Sequence, residues 1–252
     1  MSETVPVRKT PLSEIIFPVF TVADREADYY LIKRGVDVLI SSILLVLLFP
    51  IGVLVALAIK LDSKGPAIYC SERVGCRYRW KDGVYKKEVE KFTFFKFRTM
   101  YHKTTDTIHR EFIAAYIHND AKRMASLQQG KVENGNLFKL NGDKRITRIG
   151  SFLRKSSLDE LPQLWNVLRG EMSMVGPRPA IPYEVEMYAP WHLHRLAAMP
   201  GLTGLWQVTA RNSASFDEMV RLDLEYIEKQ SLWLDLKIMI FTPFAILDRK
   251  CN

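Results

Sequence analysis

The sequence predicts a mainly α fold with a small β-hairpin, monotopic in a membrane through a re-entrant helix and interfacial amphipathic helices. Three observations carry this expectation. Val38 to Ile59 is an uncharged apolar run with Pro50 in its middle. Ser231 to Leu247 is a second apolar and aromatic stretch, interrupted by Asp235 and Lys237. Between them helical signals dominate, and only the flanks of Lys81-Asp82-Gly83 are rich in Val, Tyr, Phe and Thr, the pattern of a hairpin around an Asp-Gly turn.

Taken in order, residues 1–28 form an N-terminal arm, extended over 1–23 because no period is visible there. Asp24 to Lys60 reads as one helical stretch, and residues 29–61 as a helix-break-helix in the membrane. The apolar run would be about 33 Å long as a straight helix, enough to cross a hydrocarbon core. Pro50 removes a hydrogen bond and crowds the preceding turn, and Gly52 weakens the helix further. Lys33 and Arg34 precede the run; Lys60 and Lys64 follow it. Two positive flanks are best satisfied on one side of the membrane, as a re-entrant hairpin. A kinked spanning helix stays open, since Pro is tolerated in true spans.

Residues 62–230 form the domain outside the lipid. Helices are expected at Thr107–Leu127, Ile146–Arg154, Leu158–Leu168, Pro190–Ala198 and from the capping box at Ser215 to Lys229. Leu161, Leu164, Trp165 and Leu168 would share one face of the third, with Gly170 as its stop. Asn141-Gly142-Asp143 is a turn, and Pro177, Pro179 and Pro182 force an extended segment. Residues 231–252 are a C-terminal helix and tail. Pro243 should break that helix, and Trp233 suits head-group level. A buried core helix is the alternative.

The chain has 252 residues, 48% of them hydrophobic, which is enough for a core. Its net charge of +8 points to an anionic partner: nucleic acid, lipid head groups or a phosphorylated substrate. A merely soluble basic surface explains the charge as well. The odd count of three cysteines (70, 76, 251) indicates neither a disulfide framework nor a zinc site. The five histidines are scattered, and those on the Thr107–Leu127 helix read as surface residues. The first 37 residues carry many charges and do not read as a cleaved secretory signal. No phosphate-binding G-x-x-x-x-G-K-[ST] loop and no G-x-G-x-x-G is found. Arg77-Tyr78-Arg79-Trp80 could stack single-stranded nucleic acid, but an edge strand at a lipid surface explains it equally, and no nucleic-acid partner is expected.

The densest chemistry runs from Arg154 through Asp159-Glu160 to Pro177-Arg178-Pro179. Ser157-x-x-Glu160 fits a capping box, and Asp159 fits a plain N-cap. Alternatively Asp159 attacks phosphorus and Glu160 holds a divalent ion. An anionic nucleophile meeting an anionic diphosphate needs its repulsion cancelled, which Mg2+ and arginine do. Oxygen donors favour Mg2+ over softer metals. Arg178, fixed between prolines, could bind a phosphate in bidentate fashion, or it could be a surface loop arginine. Lys96 and Arg98 alternate on an expected strand and would share a face, whether functional or merely solvated.

Four segments, Lys96-Phe97-Arg98-Thr99-Met100, Leu153 to Gln163, Val175 to Pro179 and Pro200-Gly201-Leu202-Thr203-Gly204-Leu205-Trp206-Gln207-Val208, resemble the bacterial sugar transferases. These are monotopic phosphoglycosyl transferases that start capsule, exopolysaccharide and O-antigen synthesis. The resemblance covers residues 29–247 in the family's order. It implies transfer of a sugar-1-phosphate from a UDP-sugar to polyprenyl (undecaprenyl) phosphate with release of UMP, on the cytoplasmic face of the bacterial inner membrane. By the same resemblance Asp159 is the nucleophile, Glu160 a Mg2+ ligand, and Arg154 and Arg178, with Lys96 and Arg98, phosphate-binding residues. The anchor would break at Pro50. Thr203, Gln207 and Arg211 would face the nucleotide. Partners are then the UDP-sugar, polyprenyl phosphate and membrane lipid, with a homodimer left open. The chain departs from the family at Phe49, where Ser often precedes the proline, and at Met199-Pro200-Gly201 and Thr209-Ala210-Arg211. Residues 101–140 carry no readable motif, and the identity of the sugar does not follow.

Overall fold

The computed structural model describes residues 20–21, 24–81, 84–127, 143–210 and 214–248. After the two-residue strand β1 (Phe20–Thr21), helix α1 (Asp24–Asp62) runs for 39 residues. It is long and apolar enough, by length and composition, to cross a membrane. The helix continues through Pro50 as one element. Pro50 leaves out the helical hydrogen bond that a proline cannot donate.

Residues on both sides of Pro50 are fixed to the globular part. Upstream, Arg34 donates to the Val167 and Leu168 carbonyls at 2.5 and 2.7 Å, and Asp37 accepts from the Met174 amide at 2.9 Å. Downstream, Val55 and Ile59 pack with Phe97 and Leu153. Between and around these anchors Val46, Leu47, Phe49, Leu54 and Leu61 are exposed. A helix this apolar with so much of its surface bare needs an apolar medium around it.

The hairpin is longer than expected. β2 (Ile68–Lys81) and β3 (Val84–Phe97) pair antiparallel along their whole length, from Ile68↔Phe97 to Lys81↔Val84. Their 82–83 connection lies outside the described residues. β1 adds to the outer edge of β3, opposite Lys86 and Lys87. A second sheet was not foreseen: β4 (Ser173–Val175) pairs parallel with β5 (Gly201–Thr203). A Cβ at Gly176 or Gly201 would collide with the other's backbone, so only glycine permits this approach.

The expected Thr107–Leu127 helix is two, α2 (Thr107–Ile117) and α3 (Ala121–Leu127), because Asn119 takes a left-handed φ of 52° between them. α4 (Arg148–Ser156) is capped by Thr147, whose hydroxyl accepts from the Gly150 amide at 2.9 Å. A 3-10 turn, Leu158–Glu160, precedes α5 (Gln163–Leu168), and Gly170 ends the segment at φ 71°. Leu164 is buried, but Trp165 is 50% exposed, because the 3-10 turn shifts the helical phase assumed for a single helix. The short α6 (Pro182–Val185), a 3-10 stretch at Pro190–Ala197 and α7 (Leu205–Thr209) follow. α8 (Phe216–Lys229) opens with the expected Ser215–Glu218 capping box.

α9 (Leu232–Asp248) keeps Pro243 inside the helix rather than breaking there. One face, with Ile238 and Ala245, enters the core. The other leaves Trp233, Leu236, Ile240, Phe241 and Phe244 exposed. Asp235 is buried and accepts from Lys33 Nζ at 2.7 Å, from the Tyr29 hydroxyl at 2.9 Å and from the Tyr226 hydroxyl at 2.7 Å. Thus α9 and the start of α1 are locked together.

Two clusters build most of the core. Phe112, Tyr116, Trp206, Phe216 and Met219 join α2, α7 and α8. Phe92, Phe94, Leu164, Val167, Met172, Tyr226 and Ile238 join the hairpin, α5, α8 and α9. The second cluster presses the hairpin face that carries Lys96 onto the segment that carries Asp159.

Candidate active site

Asp159 sits inside the 3-10 turn, only 3% exposed, and its carboxylate meets Lys96 Nζ at 2.5 Å. The Ser157 side chain makes no cap hydrogen bond, and Asp159 lies within the turn rather than before α5. The ion pair joins two segments 63 residues apart in sequence. Asn166 makes the placement rigid. Its side chain accepts from the Phe95 amide at 3.1 Å and donates to the Thr93 carbonyl at 2.6 Å, so it pairs with β3 as a neighbouring strand would. It also donates to Glu171 at 2.7 Å. Sequence reasoning missed Asn166; its only signal was an amide set among the apolar residues of a short helix.

Arg154, on the last turn of α4, donates from Nε to the Thr99 hydroxyl at 2.9 Å. Burial pushes its guanidinium below the ordinary value, and Asp159 is the first charge that pulls it back. Asp159, Lys96 and Arg154 therefore form one charged group. Glu160 adjoins it in the same turn and is half-buried.

Arg178 is positioned by a neighbouring set of contacts, with Nη1 at 3.4 and 3.5 Å from the Glu184 carboxylate. Burial alone would raise Glu184, yet Arg178 and then Arg73 hold its carboxyl below the ordinary value. His109, expected at the surface, instead packs here, 2.7 Å from the Tyr183 hydroxyl, and burial pushes it down to about 4. Arg73 is a further residue that sequence reasoning did not single out.

Arg98 is placed differently. Its guanidinium donates to the Ser63 carbonyl at 2.8 Å and to those of Lys64 and Ile59, capping the C-terminal end of α1. β3 ends at Phe97, so the alternation assumed for Lys96 and Arg98 stops before it reaches Arg98. Thr203 is buried, and its hydroxyl bonds Thr242 at 2.8 Å, tying β5 to α9. Gln207 is half-buried on α7, and Arg211 lies outside the described residues.

The family model for bacterial sugar transferases matches residues 28–249. The chain is 40% identical over 218 residues to the UDP-galactose-lipid carrier transferase of Erwinia amylovora, covering 86% of this chain and 41% of that protein. It is 38% identical over 218 residues to the exopolysaccharide production protein ExoY of Rhizobium meliloti, covering 86% of each. A third relative is the UDP-glucose:undecaprenyl-phosphate glucose-1-phosphate transferase of Caulobacter vibrioides, at 37% over 223 residues, 85% of this chain and 69% of that protein. The chain spans 41% of the length of the Erwinia protein and about two-fifths of several other curated relatives it matches. The chain belongs to the bacterial sugar transferase family.

Proposed function

We propose that this chain transfers a sugar-1-phosphate from a UDP-sugar to polyprenyl phosphate by a two-step covalent route through Asp159. The observation that carries the reading is the buried Asp159 carboxylate held against Lys96, with Arg154 beside it. An Asp159 oxygen bonds to the β-phosphorus while the bond from that phosphorus to the bridging oxygen breaks. The bridging oxygen leaves with its electron pair as part of UMP. A phosphate oxygen of polyprenyl phosphate then attacks the same phosphorus, the aspartyl bond breaks, and the carboxylate is restored. Lys96 orients the nucleophile and, with Arg154, offsets the repulsion between carboxylate and diphosphate.

Mg2+ belongs to the same proposal. Among the described residues no group of three or more His, Cys, Asp or Glu is placed to hold an ion alone. Mg2+ is typically held by one or two carboxylates plus substrate phosphates and water, so Glu160 would supply the protein ligand. When bound, the ion neutralises charge on the diphosphate.

The membrane arrangement belongs to the same reading. Anchors on both sides of Pro50 touch one globular domain, which favours a helix that enters the cytoplasmic leaflet and returns over one that crosses. The exposed apolar face of α9 would lie in the same interface.

A UMP-release screen with polyprenyl phosphate across UDP-glucose, UDP-galactose and N-acetylated UDP-sugars tests the reaction. One donor should release UMP, and Asp159→Asn should abolish that release. Turnover near the parent level in the Asn variant would remove the nucleophile. Silence from every donor would leave a non-enzymatic membrane scaffold.

A further inference from the structure

We propose that Ser71 and Arg73 on β2 are ligands of the donor's diphosphate, forming a track from Asp159 towards Arg178. This deepens the reading above and rests on it. The hairpin register sets the geometry. Tyr69 lies opposite Lys96, Ser71 opposite Phe94 and Arg73 opposite Phe92. Cross-strand partners share a face, so Ser71 and Arg73 point to the side on which Lys96 holds Asp159. The Arg73 guanidinium stacks over the Phe94 ring at 4.9 Å, which agrees with that direction.

Two groups on this face lack partners. Ser71 Oγ and Arg73 Nε are buried and have no hydrogen-bond partner among the described residues. An orphaned buried donor costs about 1–3 kcal/mol, so two in a row on one strand face need an explanation. Arg73 is otherwise spent only in part, on the Pro179 carbonyl at 3.2 Å. That bond seats it beside Arg178.

Charge points to the same ligand. Burial, and then Arg178, push Arg73 down to about 10, which places two guanidinium groups within each other's field. Glu184 is the carboxylate that answers both. The neighbouring Asp223 is already matched by Arg195 at 2.6 Å. Among the described residues, the two guanidinium groups and the Glu184 carboxylate stand within one another's field in a mostly buried place. Such a site takes a multiply charged oxyanion with several acceptor oxygens. A diphosphate supplies them, and with its far phosphorus at Asp159 its other oxygens run along Ser71 and Arg73.

The test is binding of UDP and of uridine to the detergent-solubilised full chain, in the parent, Ser71→Ala and Arg73→Lys. Each variant should bind UDP about ten- to a hundredfold more weakly. Uridine, which has no phosphate, should bind all three alike. Ser71→Ala breaks no internal hydrogen bond, so it decides the matter even if Arg73→Lys fails to fold. Parent-level UDP affinity in Ser71→Ala, or equal weakening of UDP and uridine, overturns the proposal while the transferase reading stands. A parent chain that binds no UDP sinks both.

Discussion

Replacing Lys96 by Met should cost far more stability than replacing Asp159 by Asn, although the two residues form one ion pair. The pair spans 2.5 Å, with the Lys96 side chain 26% exposed and the Asp159 side chain 4%. At an effective dielectric of about 20 their gross attraction is about 7 kcal/mol, mostly offset by desolvation. The difference lies in what each deletion leaves behind. Lys96→Met strands a carboxylate that cannot reach water, for about 3 kcal/mol. Asp159→Asn strands an ammonium that can be hydrated, and leaves it an amide oxygen to donate to, for about 1 kcal/mol. At about 2–4 °C per kcal/mol, the melting temperature should fall about 6–12 °C in the first and 2–4 °C in the second. The double variant should melt close to Asp159→Asn alone, since no stranded carboxylate remains. Thermal denaturation in micelles, followed by tryptophan fluorescence, reads all three. Equal losses in the single variants, or additive loss in the double, would refute this account of the pair.

Arg98→Met should uncap the Ile59, Ser63 and Lys64 carbonyls and lower stability by about 2–4 kcal/mol, while UDP affinity in the folded fraction stays at the parent level. A calorimetric titration together with a melting curve separates the two effects. Gly150→Ala would drive a Cβ into the Thr99 backbone, moving the hydroxyl that holds Arg154; UMP release and melting temperature should fall together. His109 is neutral in the fold down to about 4, whereas the unfolded chain protonates near 6.5. Its contribution is therefore present above about 6.5 and lost as pH falls towards 4, and His109→Gln should flatten the stability profile in that window. Pro50→Leu should straighten α1 and send one end across the membrane. Single cysteines at positions 3 and 65, in a background lacking the native ones, should label from one side in the Pro50 chain; opposite-side labelling there would show a crossing helix.

Local signals in the sequence were enough for the elements whose causes are local. Pro, Gly and a Ser–Glu cap marked α8, the stop at Gly170 and the apolar extent of α1. The chemistry of Asp159 was legible as a residue type, but its partner was not. Lys96 reaches it only because the β2–β3 register and the Asn166 bonds to β3 bring two distant segments together. Arg98 shows the opposite error: alternation along a strand holds only while the strand lasts. The parallel β4–β5 pair escaped notice because three-residue strands carry no period, and its one trace was a glycine in each partner segment.

The bond between Lys33 and Asp235 also sets a timetable. Its two residues are 202 positions apart. At roughly 5–20 residues per second, a ribosome delivers Lys33 some 10–40 s before it delivers the aspartate. During that interval an apolar helix is available for insertion with an unneutralised ammonium near its entrance, and its aliphatic stem must stretch that charge back to water. Only when α9 emerges can the lysine withdraw beneath the surface, joined by the hydroxyls of Tyr29 and Tyr226. Burial of the Lys33 charge is thus completed only by a segment 202 residues downstream. A nascent chain stalled before residue 231 would hold its membrane helix in a shallower seat than the finished protein does.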